Sequence, residues 1–333
     1  MGKWIAFAFS LALVVGGAAA PLRATTLEDI KARGILLCGV HPNLPGFSYI
    51  DSAGERRGYY PDLCHATAAA IGVGVHYVAM TAQQRLPALQ AGEVDLLYRN
   101  VTWTMSRDTK LGLDFAAIDF FDGQGFMVRK SKKITSAKQL SGATVCVETG
   151  TTTEKNLSDY FLSSKMTYKP LVFDSPDNTR AAYDAGRCDA YTTDRSALAG
   201  QKTILSKPDD HVILPEIISK EPLGPVTRHG DNQWTDAVRW IFNALVIAEE
   251  KGVTQANVEQ AKTWDDPEVK RLLGVIDSFG PDTGLPQDWA VNAIKAVGNY
   301  GEIYERNIAP LGLKRGLNDL WTRGGLMYVP PIR

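Results

Sequence analysis

Beyond residue 24 no stretch of this chain approaches the roughly 18 to 20 uninterrupted apolar residues of a membrane-spanning helix, which excludes such a helix from that part of the sequence. Cysteine is scarce, with four in 333 residues, and no two share a C-x-x-C spacing, so a paired-thiolate zinc site is excluded. Neither sign of charge dominates: 36 Lys and Arg face 37 Asp and Glu, for a net charge of -1. A balance that even argues against nucleic acid as the partner. There is no G-x-x-x-x-G-K-[ST] phosphate loop. The five histidines (His41, His65, His76, His211 and His229) stand in no recognisable nucleophile motif, and no short repeat of fixed period occurs. The 44% hydrophobic and 22% charged composition, with 30 Gly and 17 Pro, is that of a packed globular chain long enough for two lobes.

The N-terminus carries Lys3, a largely apolar stretch from Trp4 to Val15, and the small residues Gly16, Gly17, Ala18, Ala19 and Ala20. This is the pattern of a secretory signal peptide, and about 12 apolar residues are too few to cross a bilayer. Cleavage after Ala20 would leave Pro21 first, which is disfavoured, so the expected signal is residues 1–24 with Thr25 as the new terminus. Its removal takes away Lys3 and Arg23 and no acid, moving the net charge from -1 to -3. Export to an oxidising compartment makes Cys38, Cys64, Cys146 and Cys188 candidates for two disulfides, with three connectivities open.

The remaining chain alternates strand and helix. Thr26 to Arg33 reads as a helix stopped by Gly34, followed by a buried strand to Val40. Pro61 opens a helix through Ala70, Val73 to Met80 is a strand, Gln83 to Ala91 a helix ended by Gly92, and Val94 to Tyr98 the next strand. The glycines of Phe120–Phe126 interrupt this rhythm, and a second series follows: strands at 126–129, 143–147, 171–173 and 188–192, with helices at 154–161 and 179–185. The breaker-rich Lys220–Pro225 is a second crossover. From Trp234 the chain becomes strongly helical, with Val238, Ile241, Phe242, Leu245 and Val246 on one face, Gly252 as a stop, and Trp264, Trp289 and Trp321 as expected packing aromatics.

Gly39 to Phe47 with Gly58-Tyr-Tyr-Pro-Asp-Leu63, and Gln83 to Asp95, resemble the amino-acid-binding extracellular solute-binding proteins (family 3) of ABC importers. Closer still, Arg99-Asn-Val-Thr-Trp-Thr104, Asp122-Gly-Gln-Gly-Phe126, Gly150-Thr-Thr-Thr-Glu154, Gly186-Arg-Cys-Asp189, Tyr191-Thr-Thr-Asp194 and Leu214 to Gly224 resemble its general L-amino-acid-binding subfamily. The likeness covers essentially the whole chain after the signal.

The resemblance implies an α/β, two-lobed periplasmic-binding-protein fold (type II) with two crossover strands as hinge and a helical C-terminal extension. Lobe 1 would be 25–121 with 223–333, lobe 2 would be 125–219, and the hinge would lie near 121–125 and 219–223. It pairs Cys38 with Cys64 and Cys146 with Cys188, each within one lobe, which leaves the hinge free. By loop entropy these closures would stabilise by at most about 3.5 and 4 kcal/mol.

The resemblance also places ligand residues. Arg107 falls where the family's arginine grips the ligand α-carboxylate, a task for which a planar guanidinium fork is suited. On its own, Arg107 beside Asp108 reads as a surface residue. Asn100 and Thr102 match head-group contacts, although alone they read as a polar loop after the strand. Thr152 and then Thr151 are the contacts from the turn at Gly150. Thr151 and Glu154 also form an S/T-x-x-E capping box, and a helix start can both be capped and receive a carboxylate. Asp194 matches the acceptor of the ligand ammonium; its bland alternative is N-cap of the helix beginning near Ser196. His41 and Leu44 stand where relatives selective for one side chain carry an acid and an aromatic ring, and Gly58-Tyr-Tyr60 replaces the usual Gly-Phe-Asp. That departure fits broad specificity, while His41 would equally favour an acidic or amide side chain.

The implied function is capture of L-amino acids in the periplasm and delivery to ABC permease transmembrane subunits, without a cofactor, a metal or catalysis, and with nothing compelling more than a monomer. The competing readings are an enzyme on the same scaffold, such as a cyclohexadienyl dehydratase, and an extracellular sensor domain, which would need a linked signalling segment. An elimination needs a general acid or base in the cleft. The carboxylates expected there are Asp194 and Glu154.

Overall fold

The computed structural model describes Gly2, residues 25–277 and residues 279–333. The expected signal peptide lies outside the described residues apart from Gly2.

Helix α1 (Thr26–Arg33) starts on a capping box in which Thr25 accepts from the Glu28 N–H and Glu28 from the Thr25 N–H, and it ends at Gly34 in the left-handed conformation. Strand β1 (Ile35–Val40) follows. A small hairpin, β2 (Tyr49–Ile50) and β3 (Arg56–Arg57), leads into α2 (Tyr59–Ile71), then β4 (Gly74–Ala79), α3 (Ala82–Ala91), β5 (Leu96–Thr102), α4 (Met105–Leu111), β6 (Leu113–Phe115) and β7 (Phe120–Asp122). Strand β5 runs four residues beyond the end expected from the sequence. Asn100 and Thr102 are therefore strand residues, not a loop.

Only Gly123 separates β7 from β8 (Gln124–Arg129), the first strand of a second sheet. That sheet continues with β9 (Thr144–Glu148), α5 (Thr152–Ser163), β10 (Lys169–Phe173), α6 (Pro176–Asp184), β11 (Ala190–Asp194), α7 (Arg195–Thr203) and β12 (His211–Ile213). The chain then returns along β13 (Glu221–Arg228).

The first sheet has the order β4-β1-β5-β13-β6, with β7 also paired to β13, and the second β10-β9-β11-β8-β12. In both, the strands reached through crossover helices are parallel (β1 with β4 and β5; β9 with β10 and β11), while the returning strands β13 and β8 are antiparallel. Two α/β lobes, crossed twice by the chain, follow from this order.

The C-terminal helices α8 (Asn232–Glu250), α9 (Val258–Ala261), α10 (Pro267–Leu272), α11 (Trp289–Val297) and α12 (Tyr300–Asn307) pack on the first sheet, sharing its core with α2. Trp234, fully buried on α8, donates its indole N–H to the Asp95 carbonyl at 2.9 Å. The Tyr59 and Tyr300 hydroxyls both donate to the Asp119 carbonyl, at 2.7 and 3.1 Å. Trp289 is buried and Trp264 half-buried, but Trp321 is 52% exposed, held by its N–H to Glu250 and an edge contact with Tyr328. The disulfides Cys38–Cys64 and Cys146–Cys188 tie β1 to α2 and β9 to the turn before β11.

Candidate functional site

The two lobes meet in a narrow cavity lined from the first by the loop after β1, by α3 and by the end of β5, and from the second by the end of β9, the start of α5 and the β11–α7 junction. Seven of the eight expected ligand residues line it: His41, Leu44, Asn100, Thr102, Thr151, Thr152 and Asp194.

Asn100 has φ of 35°, in the left-handed region, inside a strand. Asparagine tolerates that conformation better than other residues with a Cβ, and such strain persists only where neighbours impose it. Here Arg99 Nη1 donates to Asn100 Oδ1 at 3.0 Å, and Arg85 Nη1 donates to the carbonyls of Arg99 and Asn100 at 3.0 and 3.2 Å. His41, also buried, accepts the Asn43 N–H on Nδ1 at 3.2 Å. Burial, then the Arg99, Arg85 and Arg56 charges, hold its pKa well below the ordinary value and keep the ring neutral.

On the second lobe, Thr151 caps α5 by accepting the Glu154 N–H at 3.2 Å. The expected capping box is only half formed, because Glu154 accepts from the Thr149 hydroxyl instead. Glu154 is absent from the cavity wall. Asp194 occupies the N-cap position of α7, yet its side chain makes no capping bond. The helix is served by Asp122, which accepts from the N–H and hydroxyl of Ser196. Asp194 is left 5% exposed, making no ion pair among the described residues. Burial first, and then the Asp122 and Glu221 charges, raise its pKa well above the usual carboxylate range, against the Asn100 side chain and Arg85.

Glu221, at the start of β13, ties the crossover to both lobes. Its carboxylate accepts from Thr102 at 2.6 Å, from Thr152 at 3.0 Å and from Asn156 at 2.7 Å. Arg107, on α4, donates Nη1 to the Thr102 carbonyl at 2.9 Å. It is buried without lining the cavity itself. Burial lowers its pKa, and the Glu221 and Asp194 charges oppose that shift.

Further contacts join the lobes directly. Glu148 accepts the Ala82 N–H at 3.2 Å, Asn43 donates to Asp177 at 3.2 Å, and Gln201 donates to the Asn43 carbonyl at 3.2 Å. The backbone of Gly150, with φ of 74°, lies so close to Gln83 that a Cβ would stand 2.8 Å from its Cγ. The cleft is therefore closed in this structure. Sequence reasoning missed Arg85, Arg99, Glu148 and Gln201 on the cavity wall, and Glu221 beside it. Arg99 opens one of the quoted motifs and Glu148 precedes another, but neither residue type signals burial at a cleft. Among the described residues no cluster of three or more His, Cys, Asp or Glu is arranged to hold a metal ion.

A polar cavity with a carboxylate and a helix N-terminus on one lobe and the guanidiniums of Arg85 and Arg99 on the other suits a small zwitterion. Residues 36–259 match the bacterial extracellular solute-binding proteins, family 3. The chain is 52% identical over 329 residues to the general L-amino acid-binding periplasmic protein of Rhizobium johnstonii, covering 96% of each. It is 53% identical over 331 residues to the glutamate/glutamine/aspartate/asparagine-binding protein of Rhodobacter capsulatus, covering 97% of each. Among solved structures, a periplasmic binding protein from Brucella ovis with glutathione bound superposes with a TM-score of 0.91 at 55% identity, covering 93% of this chain and 100% of that one.

Proposed function

The chain belongs to family 3 of the bacterial extracellular solute-binding proteins, and on that premise we propose that it is the periplasmic substrate-binding component of an ABC-type amino-acid importer. It captures L-amino acids of broad side-chain range between its lobes and hands them to a membrane permease. It acts as a monomer without catalysis, after removal of residues 1–24. Residues 25–121 with 223–333 move as one lobe and 125–219 as the other, about the crossings near 121–125 and 219–223.

The observation that carries this reading is the buried Asp194 carboxylate, which caps no helix and pairs with no cation among the described residues. An ammonium group bound there restores the charge that burial penalises. The N–H groups at the start of α5, where Thr152 and Thr151 stand, take the α-carboxylate. They are joined from the other lobe by Arg107, which lies behind the cavity wall against the Thr102 carbonyl and turns its remaining guanidinium N–H groups to the ligand on binding. Asn100 and Thr102 line the head-group end. Because the ligand is held from both lobes at once, its ammonium by Asp194 on the second and its carboxylate in part by Arg107 on the first, binding favours the closed arrangement over the open one.

Calorimetric titration of the refolded, ligand-stripped protein against L-amino acids, their D-isomers and prephenate tests the proposal. One-to-one saturable binding of several unlike L-amino acids is expected. Turnover of prephenate, with no amino acid bound, contradicts it and supports the dehydratase reading.

A further inference from the structure

The first lobe's wall of the cavity carries two buried arginines that the head-group clamp does not use. Arg99 is 1% exposed. Its Nε donates to the Met80 carbonyl at 2.9 Å and its Nη1 to Asn100 Oδ1, whereas Nη2 is buried without a hydrogen-bond partner. The nearest anion to Nη2 is Glu148 Oε1, 3.7 Å away on the second lobe. Arg85, beside it, likewise has a buried Nε without a partner. A buried donor left unpaired costs the full desolvation of that group, and a charged one costs more. His41 completes this wall: because Nδ1 accepts the Asn43 N–H, the neutral ring carries its proton on Nε2.

This end of the cavity is therefore rich in donors, with Glu148 as the carboxylate beside them. Once Asp194 and Arg107 hold the head group, which is the reading proposed above, the ligand side chain is left to this wall. We propose that Arg99, with His41 and Glu148, reads the ligand side chain and ranks L-amino acids in favour of those ending in a carboxylate or a carboxamide. A carboxylate accepts from Arg99 Nη2 and from the His41 Nε2–H. A carboxamide gives its oxygen to Arg99 and its NH2 to Glu148, using the mixed wall in both directions. A hydrocarbon side chain satisfies none of these groups, and a basic one brings a cation against two buried guanidiniums. Broad acceptance at the head group and a ranking at the side chain then belong to different residues.

The test is calorimetric titration of L-glutamine, L-glutamate, L-alanine and L-lysine against the wild-type protein, Arg99→Met and Glu148→Gln. Glutamine and glutamate are expected to bind wild type at least about tenfold tighter than alanine, with lysine weakest. Arg99→Met removes that advantage, lowering glutamine and glutamate affinity at least about tenfold more than alanine affinity, so that the ratio and not alanine's own affinity is the readout. Should Arg99→Met fail to fold, Glu148→Gln decides: it raises the glutamate-to-glutamine affinity ratio by about tenfold, since it replaces a carboxylate that repels the acid and accepts from the amide. Alanine binding as tightly as glutamine, or an unchanged ratio in Glu148→Gln, overturns the inference while leaving the amino-acid receptor intact. Failure of all four to bind wild type overturns the receptor itself.

Discussion

The Asp122 carboxylate accepts the Ser196 N–H at 3.5 Å and contacts its hydroxyl, so α7 is capped from a crossover strand seventy-four residues away in sequence. Asp194, which occupies the cap position itself, is released from that task. The two aspartates have exchanged the roles that local sequence would give them. Asp122→Ala should cost about 0.5 to 2 kcal/mol of stability, as loss of a cap does. Asp194→Asn should leave stability within about 1 kcal/mol and weaken every α-amino acid by about 2 to 5 kcal/mol. Thermal melts of both variants, paired with calorimetry, separate the two roles.

Gly200 sits within α7, where a Cβ would stand 2.5 Å from the Pro45 carbonyl and 3.2 Å from Leu44 Cδ1, both on the other lobe. In an open protein Gly200→Ala should stabilise the helix by about 0.5 to 1 kcal/mol. The same methyl obstructs closure, so affinity for all ligands should fall at least about tenfold while the melting temperature rises or holds. Unchanged affinity would mean that ligand binding does not bring Pro45 onto Gly200.

Asp119 is buried with neither carboxyl oxygen hydrogen-bonded, and burial pushes its pKa up to about 8. The folded protein thus keeps a proton that the unfolded chain releases near the usual carboxylate range. Stability present at lower pH is lost as pH rises towards 8, by up to about 1.4 kcal/mol per unit. Asp122, raised to about 6 by burial, acts in the same sense at lower pH. Asp194, raised well above the carboxylate range by burial, also acts in that sense, whereas His41, held neutral, acts oppositely below about 6.5. Above that value the difference between wild type and Asp119→Asn therefore isolates Asp119. Urea unfolding of ligand-free protein at pH 6.5, 7.5 and 8.5 should show falling stability in the wild type and a flatter profile in Asp119→Asn.

Reduction of both disulfides should lower the melting temperature, each bridge contributing at most about 3.5 to 4 kcal/mol by closing 26 and 42 residues of chain. Ligand affinity at 25 °C should change little, because neither bridge crosses between the sheets. A large loss of affinity with the fold retained would show that a bridge positions the cleft.

Much of the fold was legible because its signals are local. The helix stops at Gly34 and Gly92 need only the left-handed conformation that glycine supplies, and both occur. The end of β5 was not legible, since Asn100 and Thr102 look like loop residues until Arg85 is seen holding the Asn100 carbonyl, and Arg99 its side-chain oxygen, in the left-handed conformation. Glu221 was hidden for a different reason. It lies in a stretch broken by Pro222 and Pro225, and its partners Thr102 and Thr152 are 119 and 69 residues away. The halved capping box at Thr151 shows the limit of a motif, because Thr149 offers Glu154 a competing donor that the spacing rule does not see.

The proposed function turns on Asp194 receiving the ligand ammonium. Its most direct test compares the affinities of L-glutamine and of the same molecule without its α-amino group, for wild type and Asp194→Asn. Wild type should prefer glutamine by at least about a hundredfold, and the variant should lose most of that preference through weaker glutamine binding. An equal preference in both proteins would contradict the account and place the ammonium elsewhere in the cleft.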